Sequence, residues 1–265
     1  MTARSRRRGA WMVGSLVTLA GTAAVAVARA RRVEPGVLAP LPAPARVAAV
    51  IPVLDEAATI TSVLAELRAV GIVEVVVVDG GSSDGTPDLA AAAGAVVVAE
   101  RRRGYGRACA AGAAATTADV VVFLDGDGSD DPAFVPSLLA DVCDDGAALA
   151  LGVRTRCEHG AMLPHQVLGN RVVAGLLWLV HGVAVSDIPP MRAVRRDVLE
   201  RLDMREMTYG WPTEMIVRTA RAGLPITQID VRARCRAGGE SKIAGRLAPS
   251  LMAGVRMVGV VLRLA

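Results

Sequence analysis

Short apolar runs recur through the first half of the chain, each followed by a polar cluster and then by apolar residues at helical spacing. Val47–Val53 predicts a strand. Ala57–Val70, with Ile60, Val63, Leu64 and Leu67 on one face, predicts a helix. The alternation continues with a strand at Val73–Val78, a short helix at Gly85–Ala93 and a strand at Ala95–Ala99. A helix at Gly104–Ala115 and a strand at Val120–Leu124 follow. Such alternation predicts an α/β fold with a doubly wound, mostly parallel sheet flanked by helices. Ligands of these sheets bind beyond the carboxyl ends of the strands. Three predicted strands end there in polar clusters: Asp55-Glu56, Asp79 to Asp84, and Asp125-Gly126-Asp127.

The second half is less regular. Gln166–His181, Arg195–Leu202 and Pro212–Ala222 read as helices, Ile226–Val231 as a strand. Arg246–Leu264 reads as a basic amphipathic helix with Leu247, Leu251, Val255, Val258 and Leu262 at three- to four-residue steps. Core packing and a membrane surface both suit it.

Composition changes the picture at the N-terminus. Gly9 to Ala28 holds no charge and is flanked by Arg4, Arg6, Arg7 and Arg8 and by Arg29, Arg31 and Arg32. It is long enough to span a bilayer once. A membrane anchor, a cleaved export signal ending at Ala26-Val27-Ala28, and a later translation start all remain open; the anchor is carried forward. Pro35, Pro40, Pro42 and Pro44 make 33–45 an extended linker. A globular domain is expected over 46–245. Removing the seven leader arginines from the net charge of +4 leaves −3 for the rest, so the basic pI does not argue for nucleic acid. Arg246, Arg256 and Arg263 make the last residues basic too, and anionic membrane surfaces attract such ends. The expected location is the cytoplasmic face of the cell membrane, and a homo-oligomer stays open. At 52% hydrophobic and 3% aromatic, the core must be aliphatic. Cys109, Cys143, Cys157 and Cys235 lack zinc-knuckle or redox spacing, and the three histidines form no zinc pattern.

The chemistry lies in Asp125-Gly126-Asp127. Alternate side chains leave a strand on the same side, so both acids can face one point. Two hard oxygen ligands there can hold Mg²⁺ or Mn²⁺, with diphosphate oxygens completing the shell. Helix capping is the bland alternative, and Asp130 and Asp131 suffice for that.

Several motifs in order resemble family 2 glycosyltransferases of GT-A (Rossmann-like) fold, nearest to dolichyl- or polyprenyl-phosphate sugar synthases. They are Ile51-Pro52-Val53-Leu54-Asp55-Glu56, Asp79-Gly80-Gly81-Ser82-Ser83-Asp84-Gly85-Thr86, Arg103-Gly104-Tyr105-Gly106, and the Asp-x-Asp. Asp187-Ile188-Pro189-Pro190-Met191-Arg192-Ala193, Tyr209-Gly210-Trp211-Pro212-Thr213-Glu214-Met215 and Arg234 to Lys242 follow. The resemblance implies Asp79 as nucleobase reader, with a local turn bond to Ser82 or Ser83 as its alternative. It implies Pro52 and Glu56 as base and ribose contacts. Asp55 stands where the family usually has Asn; a cap of the helix at Ala57 is its alternative. Gly104 and Tyr105 would approach the nucleotide, with Tyr105 stacking on the base; a helix start is the alternative. Asp127 is implied as principal metal ligand with Asp125 as partner or ribose contact, and Ser129 replaces a usual Gln. Arg236, Ser241 and Lys242 are implied as the phosphate-handling loop, Lys242 being the only lysine of the chain.

The implied reaction is inverting transfer of a sugar from a UDP- or GDP-sugar to polyprenyl phosphate, with Asp127, Arg192, Glu214, Arg236 and Lys242 as catalytic candidates. A lipid phosphate is already ionised near neutrality and needs no base. A hydroxyl acceptor would need one, and Glu214 is the candidate; a helix-terminal role is its alternative. Arg192 would hold the acceptor phosphate or pair with Asp187. A transferase acting on a soluble hydroxyl and a non-catalytic nucleotide-binding protein are the competing readings.

Overall fold

A computed structural model of the chain describes residues 36, 38–158, 160–236 and 247–265. The Arg-flanked segment expected at 1–32, the start of the linker, and Ser241 and Lys242 lie outside the described residues. In chain order the elements are β1 (Val47–Val53), α1 (Ile60–Ala69), β2 (Glu74–Asp79), α2 (Thr86–Ala92), β3 (Val96–Ala99) and α3 (Tyr105–Ala114). Then come β4 (Val120–Phe123), a 3₁₀ turn (Pro132–Phe134), α4 (Val135–Cys143), β5 (Leu149–Cys157), α5 (Pro164–His181) and β6 (Arg192–Arg195). The last are α6 (Arg196–Arg201), α7 (Trp211–Arg221), β7 (Ile226–Ala233) and α8 (Leu247–Arg263).

The strands form one seven-stranded sheet in the order β3-β2-β1-β4-β6-β5-β7. All neighbours are parallel except β6, which runs antiparallel to both β4 and β5. Phe123 at the end of β4 therefore sits opposite Arg192 at the start of β6. The carboxyl ends of β1, β2, β4, β5 and β7 and the amino end of β6 thus share one edge, and every polar cluster named above gathers there.

Alternation along the strands divides the core in two. Val50, Val76, Val78, Val121 and Phe123 face helices α3, α5, α7 and α8 through Cys109, Leu177, Met215 and Val261. Ala49, Ile51, Val75, Val77 and Val122 face α1 and α4 through Leu64, Leu67 and Leu138. Each such fully buried Val, Leu or Phe contributes on the order of 1.5–3 kcal/mol.

Boundaries moved for physical reasons. Helix α1 starts at Ile60, three residues later than expected, because Thr59 and Ile60 N–H both donate to Glu56 O in a turn. Strands β5 and β6 were not expected: β5 interleaves Ala150 and Gly152 with its larger residues, and β6 is four residues with an arginine at each end. The end of the proline-rich stretch is not a free tether. Ala39 O accepts from Arg195 Nη2 at 2.6 Å, and Leu38 and Leu41 pack on the two core clusters. Helix α8 buries Ala253, Val260 and Val261 and leaves its other face exposed. Among the described residues no helix is long and apolar enough to cross a membrane.

Helix α3 lies so close to the sheet that a Cβ at Gly112 would run into Val50 and come within 2.8 Å of Val78. Gly112→Ala should therefore destabilise the fold by about 1–3 kcal/mol, read as a lowered urea midpoint with unchanged slope. An unchanged midpoint would mean that the helix can lift from the sheet without cost.

Candidate active site

The loops after β1 and β2 are laced together. Asp55 N–H donates to Ser82 Oγ at 2.8 Å, and Asp55 Oδ1 accepts from Ser83 N–H at 2.8 Å. Glu56 N–H donates to Thr86 Oγ1 at 2.8 Å and Ala57 N–H to Asp84 Oδ2 at 2.9 Å. Asp55 therefore does not cap a helix at Ala57; Asp84 takes that N–H. Asp55 has φ 49°, a left-handed conformation that Asn and Asp tolerate best. That requirement, with a side-chain acceptor for Ser83, accounts for Asp standing in the place of Asn. Asp79, buried at the end of β2, accepts from Gly81 and Ser82 N–H at 3.0 Å each, the local turn role. Pro52 is half-buried in β1 opposite Val78, and Glu56 is buried beside it.

At the end of β4 three carboxylates crowd together. Asp127 Oδ1 accepts from Ser129 N–H at 2.9 Å, and Asp130 Oδ2 accepts from Asp125 N–H at 2.9 Å. Asp131, not Asp130, caps the following 3₁₀ turn, accepting from Ala133 N–H. Burial, then the charge of Asp127, pushes Asp125 up to about 6. Burial, then the charge of Asp125, pushes Asp130 up to about 8. Gly126 is imposed by packing, since a Cβ there would come within 2.6 Å of Val53.

Three arginines oppose this charge: Arg192, Arg154 and Arg236. Arg236, beyond the end of β7, holds Asp127 Oδ2 at 2.6 Å and approaches Glu56 at 3.7 Å. Arg154, on β5, is clamped by Asp187 at 2.7 Å, and Asn170 of α5 donates to the same carboxylate at 2.6 Å. Asp187 is taken by Arg154, and Arg192 makes no ion pair with it. Arg192 is 0% exposed, donates to Pro189 and Pro190 carbonyls, and lies 4.9 Å from the Phe123 ring.

Two further candidate groups have structural partners of their own. Gly104 and Gly106 are glycines because the 206–207 backbone crosses the start of α3; a Cβ at either would strike Met207 or Glu206. Gly106 and Arg107 N–H donate to Thr208 and Met207 carbonyls, which closes this helix start to a phosphate. Tyr105, half-buried, packs onto the core with its hydroxyl buried. Glu214 is 0% exposed. Its Oε2 accepts from Arg205 and Glu206 N–H at 2.9 and 2.6 Å, and its Oε1 from Arg218 at 2.8 Å. It staples the 203–208 segment to α7.

The sequence reading missed Arg154 and Asp130. Arg154 follows the apolar run Leu149–Val153, which would have marked a strand end had β5 been recognised. Among the described residues no three His, Cys, Asp or Glu side chains form a ready-made metal cage. Asp125 and Asp127 nonetheless suit a hard divalent ion: both are crowded oxygen donors, and a guanidinium already sits on Asp127.

Comparison with known proteins agrees with this arrangement. Against a glycosyltransferase of Mycobacterium tuberculosis, uncharacterised in function, the chain is 39% identical over 208 residues, covering 78% of this chain and 94% of that one. Against an undecaprenyl-phosphate mannosyltransferase of Micrococcus luteus it is 32% identical over 235 residues, 82% of this chain and 96% of that one. The crystal structure of glucosyl-3-phosphoglycerate synthase from M. tuberculosis with Mn²⁺, UDP-glucose and phosphoglyceric acid superposes with TM-score 0.68 at 27% identity, covering 84% and 80% of the two chains. The family model for glycosyl transferase family 2 matches residues 48–203, and with the GT-A-like sheet and the acid pair at its carboxyl edge, the chain belongs to that family.

Proposed function

We propose that the protein is an inverting transferase that moves a sugar from a UDP- or GDP-sugar to polyprenyl phosphate at the cytoplasmic face of a membrane. The observation that carries this reading is Glu214. The carboxylate that a hydroxyl acceptor would need as base is buried with both oxygens engaged. A phosphate monoester carries its own negative charge and needs no base. The undecaprenyl-phosphate mannosyltransferase, similar over most of both chains, supports the same acceptor class.

Asp79, Pro52, Asp55 and Glu56 would receive the nucleoside, the laced loops fixing their spacing. Asp125 and Asp127 would hold Mg²⁺ or Mn²⁺, as the Mn²⁺ in the solved relative supports. That ion supplies charge neutralisation for the diphosphate. Arg236, released from Asp127, would turn its fork to the leaving diphosphate, with Ser241 and Lys242 joining it. Arg192, fully buried, and Arg154, clamped by Asp187, would stay in place and offset part of the acids' charge. An acceptor phosphate oxygen bonds to the anomeric carbon as the bond to the diphosphate breaks, its electron pair leaving with the nucleoside diphosphate. A single displacement inverts the anomeric centre.

The test is labelled UDP- and GDP-sugars incubated with the full chain and polyprenyl phosphate in detergent. Label should enter the solvent-extractable lipid, and Asp127→Ala or a chelator should lower it by at least about a hundredfold. In a parallel incubation with phosphoglycerate, which the solved relative binds, label entering it while none enters the lipid would replace the lipid reading. Glu214→Gln should cost about 1–3 kcal/mol in stability, because its amide must face either two N–H donors or Arg218. The folded variant should keep its rate within a few fold, whereas loss of a base would cost about 10²–10⁴. The acid cluster adds a pH dependence. Asp125 and Asp130 hold protons more tightly folded than unfolded, so their contribution is full below about pH 4 and lost as pH rises through about 6 and about 8. In chelator the protein should melt at lower temperature at pH 8 than at pH 6. Asp130→Asn, which keeps the acceptor for Asp125 N–H, should recover on the order of 1–3 kcal/mol at pH 8 and flatten that slope.

A further inference from the structure

Helices α5 and α8 pack on one another, with His181 Nε2 at 2.9 Å from Val261 O. Their outward faces carry large apolar side chains that stand exposed among the described residues. On α5, Leu168 and Trp178 are each 64% exposed, with Val172 and Leu179 beside them. On α8, Leu251 is 70% exposed, with Met252, Val255 and Leu262 on the same face. Large apolar side chains exposed in number on two helices that pack together mark an interaction site.

Charge says what kind. Neither helix contains an acidic residue. Arg171 and Arg256 stand exposed on the two faces, and no ion pair among the described residues engages either; Arg263 is occupied by Glu206 at 3.2 Å. An exposed tryptophan among aliphatic side chains with flanking arginines is the composition of an interfacial helix. A two-fold pairing of this face with itself would gather arginines with no acid to meet them.

Placement says what for. Asn170 of α5 donates to Asp187 at the active-site edge, so one end of the face adjoins the site. At the other end Gly36 donates to Gly223 O at 2.9 Å, two residues from Arg221, which donates to Leu264 O at the end of α8. At Gly36 the chain thus runs on the side of the domain where α8 ends.

We infer that the α5–α8 face docks on an anionic lipid bilayer and presents the active site to it. This deepens the lipid-acceptor reading and rests on it, because a polyprenyl phosphate arrives from a bilayer. Trp178 reports the contact. In the full chain carrying Trp11→Phe, the remaining tryptophans are Trp178 and Trp211, and Trp211 is only 2% exposed. On vesicles of brominated phosphatidylglycerol free of any acceptor, Trp178 emission should shift blue and be quenched by roughly half, an effect absent in Trp178→Phe. Leu251→Glu with Val255→Glu, both exposed, should abolish the quenching and lower partitioning at least about tenfold relative to the parent chain. Bound protein with unquenched Trp178 would overturn the inference, since contact would then run through residues 1–28 alone. So would a Trp178 already shielded without vesicles in a sedimenting dimer, or equal quenching by neutral vesicles. Because the vesicles hold neither donor nor acceptor, docking without lipid product would sink the acceptor reading alone, and lipid product without docking would sink this one.

Discussion

The arrangement depends on like charges buried close together. Asp125, Asp127 and Asp130 stand at the end of a strand whose every residue is buried. Such crowding is sustained only if cations are brought to it. The sheet delivers them from three strands distant in sequence: Arg154 from β5, Arg192 from β6 and Arg236 from beyond β7. Strand β6 runs against its neighbours, and for that reason its first residue, not its last, arrives at the acid edge. Topology and electrostatics are here one constraint.

A second constraint is local. The 203–208 segment crosses the start of α3, where it removes the side chains of Gly104 and Gly106 and satisfies two helix N–H groups. Glu214 keeps that segment in place. Residues that look like nucleotide and base chemistry thus also fasten one loop across one helix. Their spacing resembles a functional motif because a backbone crossing asks for glycines at the same interval as a close ligand approach.

The first half of the fold was legible because β1, β2 and β4 are continuous aliphatic runs and α1 repeats apolar residues on one face. The acid pair was legible because an Asp-x-Asp directly after a buried strand has little structural use. What was not legible came from partners far apart in sequence. Arg154 is separated from Asp187 by an entire helix, and β5 itself is diluted by Ala150 and Gly152. The burial of Arg192 follows from pairing with Phe123 across β4 and β6, which no local spacing encodes. The two amide donors of Glu214 lie eight and nine positions earlier, where no local pattern announces them.

The reciprocal bonds between the loops after β1 and β2 have a bearing on how specificity can change. Asp55 needs Ser82 and Ser83, and Ala57 needs Asp84, so neither loop keeps its shape with a foreign counterpart. On the proposed reading, in which these loops receive the nucleoside, donor preference would be inherited as a two-segment cassette, and a graft of one segment without the other would carry a mismatch into the cleft.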